Sequence, residues 1–178
     1  SLNQALDQMQ SAGNIPPEVL AMVRQQFESG IGIAEGIMGL PTTLPLWSAL
    51  GLIERPDLVQ TIHRDNLEAG ADILTTNTFR STARTLRKAG LDVSAADGLD
   101  RLAVELAVAA REESGRADAL IAGSIAPLDE CYEPTFETAE DIALGEHEVQ
   151  ARNLAAAGVD FLMVETMPTI REAVLTTR

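Results

Sequence analysis

The chain has 178 residues, 13 Lys and Arg against 27 Asp and Glu, and a formal net charge of −14 at pH 7. A hydrophobic share of 46% with 22% charged residues fits one globular domain, or a piece of one, and excludes wholesale disorder. The negative charge repels a nucleic-acid backbone or an anionic membrane, no apolar run reaches the ~18 residues of a membrane span, and 3% aromatics leave no stacking platform, so no nucleic acid and no membrane partner is expected.

Residues 1–30 read as an N-terminal helical extension. A short helix over Gln4 to Met9 breaks at Ser11-Ala12-Gly13-Asn14. A second is opened by Pro16-Pro17-Glu18 and runs to about Phe27, with Val19, Leu20, Met22, Val23 and Phe27 on one stripe. Its expected role is to buttress the domain, with a dimer contact as the alternative. The start, Ser1-Leu2-Asn3-Gln4, carries neither a basic stretch nor an apolar core of a secretory signal. Together with the single cysteine, Cys131, this predicts a reducing, cytoplasmic setting.

Ile31 to Ala34 reads as a strand, followed by the glycine-rich turn Glu35-Gly36-Ile37-Met38-Gly39. Pro41 to Pro45 is loop, Leu46 to Leu52 a short helix, and Pro56 to Ala69 a clear helix with Leu58, Val59, Ile62 and Leu67 inward and Gly70 at its end. A repeat follows. Ala69-Gly70-Ala71-Asp72 leads into Ile73-Leu74-Thr75-Thr76-Asn77-Thr78, and Ala157-Gly158-Val159-Asp160 leads into Phe161-Leu162-Met163-Val164-Glu165-Thr166. A weaker copy runs from Asp118 through Leu120-Ile121-Ala122-Gly123-Ser124. Counting five residues on from each Asp predicts Asn77, Gly123 and Glu165 at equivalent strand ends. Helices are predicted over Ala95 to Glu113, with Leu99, Leu102, Leu106 and Ala110 on the apolar stripe, over Ala139 to Ala157, and from Thr169 onward.

Short apolar strands alternating with helices predict an α/β fold with a parallel sheet. A doubly wound sheet and a TIM-type (β/α) barrel both satisfy this order. Gly36-Ile37-Met38-Gly39 lacks the dinucleotide-binding spacing, which favours the barrel. A whole barrel needs about 250 residues and eight strands. The chain therefore reads as about the first four βα units, residues 31–178, whose open edges need a partner: a second copy or a complementing half-barrel.

Chemistry in such folds gathers at strand carboxyl ends. Those ends carry Glu35, Gly36, Asn77, Thr78, Ser124 and Glu165. Two carboxylates suit an ammonium, the backbone around Gly36 suits a carboxylate, and the amide and hydroxyls orient polar atoms. The set suits a zwitterionic amino acid. A glycosidase pair of Glu35 and Glu165 is disfavoured by the scarcity of aromatics. Metal-free acid–base work by Glu165 and Asn77 is a further alternative. His63 and His147 read as surface or packing residues, and Cys131 as a loop thiol with Tyr132 beside it as a lid residue contacting substrate. The acidic stretch from Asp129 to Asp141 reads as solvated loop and helix start.

Pro45-Leu46-Trp47-Ser48-Ala49-Leu50, His63-Arg64-Asp65, Glu68-Ala69-Gly70-Ala71-Asp72 through Phe79, Ala122-Gly123-Ser124-Ile125-Ala126-Pro127 and Val164-Glu165-Thr166-Met167-Pro168 resemble, in order, the N-terminal half of the homocysteine S-methyltransferase family. The resemblance implies a (β/α)₈ barrel that moves a methyl group from a sulfonium, betaine or folate donor to the homocysteine thiol, giving methionine. It implies a zinc ion held by three cysteines of the barrel's second half, which this chain does not supply. It also implies that Glu35, Gly36 and Glu165 hold the amino-acid end of homocysteine. Glu35 stands where the family has Asp, and Ile37 where it has a second Gly; both narrow that pocket.

Overall fold

The structure, a computed structural model, describes residues 44–132 and 135–178, all within one compact unit, Thr42–Arg178. The expected extension over 1–30, the strand over 31–34 and the Glu35-Gly36 turn lie outside the described residues.

A 3₁₀ turn, Trp47–Ala49, runs directly into α1 (Leu50–Glu54). Helix α2 (Pro56–Glu68) opens with proline at its first position, where no intrahelical N–H is lost. It stops because Gly70 takes a positive φ of 98° and lets the Ala71 N–H reach back to the Asn66 carbonyl, 2.9 Å away. The same device ends α5 (Glu140–Ala157): Gly158 sits at φ 96°, and the Val159 N–H meets the Leu154 carbonyl at 3.4 Å. The repeated Ala-Gly-x-Asp segments are thus helix stops placed just before strands.

Three strands, β1 (Ile73–Thr75), β2 (Leu120–Ile125) and β3 (Phe161–Val164), form a parallel sheet in that order. Ile73 pairs with Leu120, and Ala122 with Phe161. The fold is α/β with a parallel sheet. β2 continues two residues past Gly123, so Gly123 is an interior strand residue and not the equivalent of Asn77 and Glu165. It lies between Leu154 and Leu162, where an added Cβ would approach their side chains to 3.2–3.3 Å.

Helices α2, α4 (Ala96–Glu113) and α5 pack on one face of the sheet. Leu67, Leu74, Ala107, Ala119 and Ile121 form one buried cluster, and Val104, Ile125 and Leu154 another. Each large aliphatic side chain so buried contributes on the order of 1.5–3 kcal/mol. On the opposite face Ile73, Leu120 and Phe161 are exposed. Of the predicted stripe of α4, Leu106 and Ala110 are buried and Leu99 and Leu102 only half-buried. The buried residues are Ala96, Asp100, Ala103, Val104, Leu106, Ala107 and Ala110, while Leu99 and Leu102 flank them. Four of the seven buried positions are alanines, small side chains that fill the space between the helix and its neighbours.

Two short elements carry no periodic signal and were not expected: α3 (Ala83–Lys88), capped by the Thr82 hydroxyl on the Thr85 N–H, and a 3₁₀ turn, Val93–Ala95, capped by Asp92. The last helix, α6 (Ile170–Thr176), starts at Thr169 as predicted; the Thr169 hydroxyl accepts from the Glu172 N–H at 3.2 Å. No helix among the described residues is long and apolar enough to cross a membrane.

Both histidines are packing residues, not surface ones. His63 faces the interior of α2, where burial pulls its pKa down to about 4. His147 lies inside α5, its Nε2 3.4 Å from Glu172 Oε1, with both side chains buried.

Candidate functional site

The parallel arrangement brings the carboxyl ends of all three strands to one side, the place where ligands bind in α/β sheets. Thr76 continues β1, its N–H donating to the Ala122 carbonyl at 2.9 Å. The Thr76 hydroxyl accepts from the Ser124 N–H at 3.0 Å and lies 2.9 Å from the Thr78 hydroxyl. Thr78 Oγ1 donates to the Ser124 carbonyl at 2.7 Å. Ser124 Oγ donates to Glu165 Oε1. The Glu165 N–H in turn donates to the Ile125 carbonyl at 3.0 Å.

Three of the sequence candidates, Thr78, Ser124 and Glu165, are therefore joined in one hydrogen-bonded rim. Thr78 and Ser124 are buried and Glu165 is half-buried. Asn77 belongs to the same turn, but its Nδ2 is committed to the Ser48 carbonyl at 2.9 Å and pins the segment before α1. Glu35 and Gly36 lie outside the described residues. Thr166, just past Glu165, sits at φ 57°, a left-handed conformation unfavourable for a β-branched residue. Such strain next to a candidate binding residue is held in place by the surrounding structure.

The β1 turn is braced from behind. Gln150 Nε2 donates to the Thr78 carbonyl at 2.9 Å, and Ser81 Oγ lies 3.1 Å from the same oxygen. Ser81 also contacts the buried Asp100. None of Gln150, Ser81 and Asp100 was singled out from sequence. The available signal was a polar residue at a buried helical position: Gln150 shares a face with Ala143, His147 and Leu154, and Asp100 with Ala103, Val104 and Ala107. Phe79 packs edge-on against Trp47 at 5.7 Å between ring centres, and the Arg80 guanidinium lies over the Phe79 ring. Arg80 also donates to the Asp129 carbonyl at 3.2 Å, tying the loops after β1 and β2 together.

The loop after β2 is more structured than a solvated acidic stretch. Asp129 meets Arg84 at 3.3 Å, Lys88 at 3.2 Å and the Thr138 hydroxyl at 2.9 Å. Burial opposes its charge, yet these partners hold its carboxyl below the ordinary value. Tyr132 is exposed. Burial and the neighbouring Glu130 push the Cys131 thiol up, away from the thiolate a metal or nucleophile requires. Among the described residues no three His, Cys, Asp or Glu side chains converge as a metal site, and the sequence holds one cysteine. The residues present do not fit a three-cysteine zinc centre.

A carboxylate, linked hydroxyls and an anchored amide turn thus form one polar cluster at the carboxyl ends of the parallel strands of an α/β fold. Comparison with known proteins narrows this. The family model described as homocysteine S-methyltransferase matches residues 33–178. Homocysteine S-methyltransferase 1 of Arabidopsis thaliana is 34% identical over 164 residues, which cover 82% of this chain and 50% of that protein. The homocysteine S-methyltransferase of Escherichia coli is 32% identical over 138 residues, covering 71% of this chain and 44% of that one. The crystal structure of the oxidized form of the homocysteine methyltransferase MmuM from Escherichia coli superposes with a TM-score of 0.72 at 30% identity, covering 81% of this chain and 53% of that one. The chain belongs to the homocysteine S-methyltransferase family. It spans about half the length of the relatives it matches.

Proposed function

We propose that this chain forms the amino-acid-binding half of a cytoplasmic TIM-type (β/α) barrel that transfers a methyl group to the thiol of homocysteine. The observation that carries the reading is the Ser124–Glu165 contact at the carboxyl end of β2 and β3, in a chain of this family. Glu165 is the acceptor for the substrate ammonium. Ser124 fixes the carboxylate so that one oxygen faces the mouth. Thr78 and Asn77 set the floor of the site, and Glu35 and Gly36 take the carboxylate end. Orientation by these groups presents the sulfur for in-line attack on the methyl carbon of a sulfonium, betaine or folate donor, where proximity lowers the barrier. Thiolate formation requires groups this chain does not contain. In the family, zinc supplies that chemistry, lowering the thiol pKa from about 8.5.

Homocysteine titrated into the purified chain by calorimetry tests the reading. Glu165→Gln should weaken binding on the order of 10–100-fold, as expected for a lost charge-assisted hydrogen bond. Homocysteine with a sulfonium donor and zinc should give no methionine. Equal affinity in wild type and Glu165→Gln would overturn the assignment of Glu165. Rapid methionine formation would overturn the view that thiol activation comes from outside the chain.

A second reading keeps the same fold as a non-catalytic half-barrel module. It is favoured by β3, which pairs with β2 alone among the described strands and exposes Phe161 and Leu162. A complementing half-barrel or a second copy would cover that edge. Sedimentation distinguishes the two: a monomer at all concentrations speaks against self-pairing.

A further inference from the structure

Ser81 has one hydroxyl hydrogen and two oxygens within its reach. The Thr78 carbonyl lies 3.1 Å from its Oγ and Asp100 Oδ1 lies 2.5 Å from it. One hydrogen cannot serve both. If Asp100 is ionised, Ser81 must donate its hydroxyl to it, and the Thr78 carbonyl is left with Gln150 Nε2 at 2.9 Å and the long Ser81 main-chain N–H contact at 3.5 Å. If Asp100 carries a proton, that proton is donated to Ser81 Oγ, and Ser81 turns its own hydrogen to the Thr78 carbonyl. The second Asp100 oxygen is already assigned, since Asn153 Nδ2 donates to Oδ2 at 3.1 Å. The Gln150 orientation is fixed as well, because only its amide nitrogen can face a carbonyl.

We propose that Asp100 and Ser81 are positioning residues for the Thr78–Ser124–Glu165 rim, forming a proton-controlled latch on the Thr78 carbonyl. The latch acts through the main chain. Thr78 Oγ1 holds the Ser124 carbonyl and Ser124 Oγ holds Glu165, so a change in how firmly the Thr78 peptide is clamped passes directly to the rim. In the protonated state the Ser81 hydroxyl joins Gln150 Nε2 and the long Ser81 N–H contact on the Thr78 carbonyl; in the ionised state that hydroxyl is withdrawn.

The surroundings suit such a switch. Burial, against the hydrogen bonds from Ser81, Asn153 and, more weakly, Gln150, pushes the Asp100 carboxyl up to about 6, with Asp97 adding to the rise. A cavity of about 390 Å³ between α3, α4 and α5 reaches Asp100, Gln150 and Asn153 and gives protons a route in. The charged groups lining it are Asp97 on the same helix, Arg84 on α3, and Asp141 and Glu146 on α5. Arg84 is engaged by Glu146 at 2.6 Å, and Asn153 also bonds Asp97 at 2.9 Å. No cation contacts the Asp100 oxygens among the described residues to hold it ionised.

The role of the rim in substrate binding rests on the function proposed above, but the latch can be read with no ligand present. The ¹³C shift of the Thr78 carbonyl should inflect once, near pH 6, in the wild-type chain. Asp100→Asn places an amide donor against Ser81 and keeps an acceptor for Asn153, so it mimics the protonated state and should abolish the inflection. Ser81→Ala removes the hydroxyl relay and leaves only the Gln150 amide between Asp100 and the carbonyl, so it should at least halve the inflection, which keeps the test decisive if Asp100→Asn fails to fold. A flat wild-type profile, an inflection that survives Asp100→Asn, or one undiminished in Ser81→Ala overturns the latch. Homocysteine affinity then tests the coupling to the rim. Asp100→Asn should match wild type at pH 5 and bind about fivefold more tightly at pH 7.5, the value of one neutral hydrogen bond. Equal affinities of the two proteins at both pH values, with the carbonyl inflection present, would overturn the positioning role; no homocysteine binding by either would overturn the functional reading instead.

Discussion

The Thr78 hydroxyl donates to the Ser124 main-chain carbonyl across 2.7 Å, so the turn after β1 and the end of β2 are one hydrogen-bonded piece. Both residues are buried, and no water replaces that donor if it is removed. Thr78→Val should therefore cost about 1–3 kcal/mol, the desolvation penalty of an unmet buried carbonyl, while Thr78→Ser should cost less. Urea denaturation of the two variants checks this. Equal stability of wild type and Thr78→Val would show that the bond carries no weight.

Two buried titratable groups pull stability in opposite directions. Asp100 rises from 3.8 to about 6 on folding, so the stability it leaves intact below pH ~4 is lost as pH climbs to about 6. His63 falls from 6.5 to about 4, so its stability is whole above pH 6.5 and is lost as pH drops toward 4. At 1.36 kcal/mol per pKa unit, each contributes about 3 kcal/mol over its window. The wild-type contributions largely cancel between pH 4 and 6. Asp100→Asn should expose a stability that rises with pH across that window, and His63→Leu one that falls. Denaturation midpoints at half-unit pH steps separate the three profiles.

Glu172 is buried, accepts the Leu128 N–H at 2.9 Å, and faces His147. It therefore joins α6 to the loop after β2. Glu172→Ala removes the acceptor and should lower stability by about 1–3 kcal/mol. Glu172→Gln keeps an oxygen for Leu128 and should retain most of it. A loss of equal size in both variants would point to the charge and not to the acceptor.

Gly123 has its neighbours' carbons at 3.2–3.3 Å from where a Cβ would stand. Gly123→Val forces Leu162 and Leu154 apart and should cost about 1–3 kcal/mol. Thermal unfolding measures it directly. A neutral result would mean that β3 can shift away from β2 without penalty.

Much of this architecture was legible. Proline and glycine punctuate the chain, so the start of α2 at Pro56 and the stops at Gly70 and Gly158 follow from backbone chemistry alone. The rim residues Thr78, Ser124 and Glu165 could be named because parallel strands present their carboxyl ends together. Periodicity was half right on α4, where Leu106 and Ala110 are buried as expected but Ala96, Ala103 and Ala107 fill the places next to the core while Leu99 and Leu102 stay half-buried. It failed wherever a polar residue was buried for a tertiary reason: Asp100, His147 and Gln150 look like surface residues until their partners Ser81, Glu172 and Thr78 are known. Asn77, singled out for ligand binding, also has its amide nitrogen on the Ser48 carbonyl, a partner 29 residues away that no local pattern announces.

At the amino ends of the strands the repeated aspartates work differently. Arg116 bridges Asp72 and Asp118, each at 3.0 Å, and Asp160 takes Arg111 at 3.0 Å and the Ile121 N–H at 2.7 Å. These clasps sit at the pole of the sheet away from Glu165. The footing of the fold and its working mouth are thus under separate control. A substitution at Arg116 or Asp160 therefore acts on the opposite pole from one at Ser124 or Glu165.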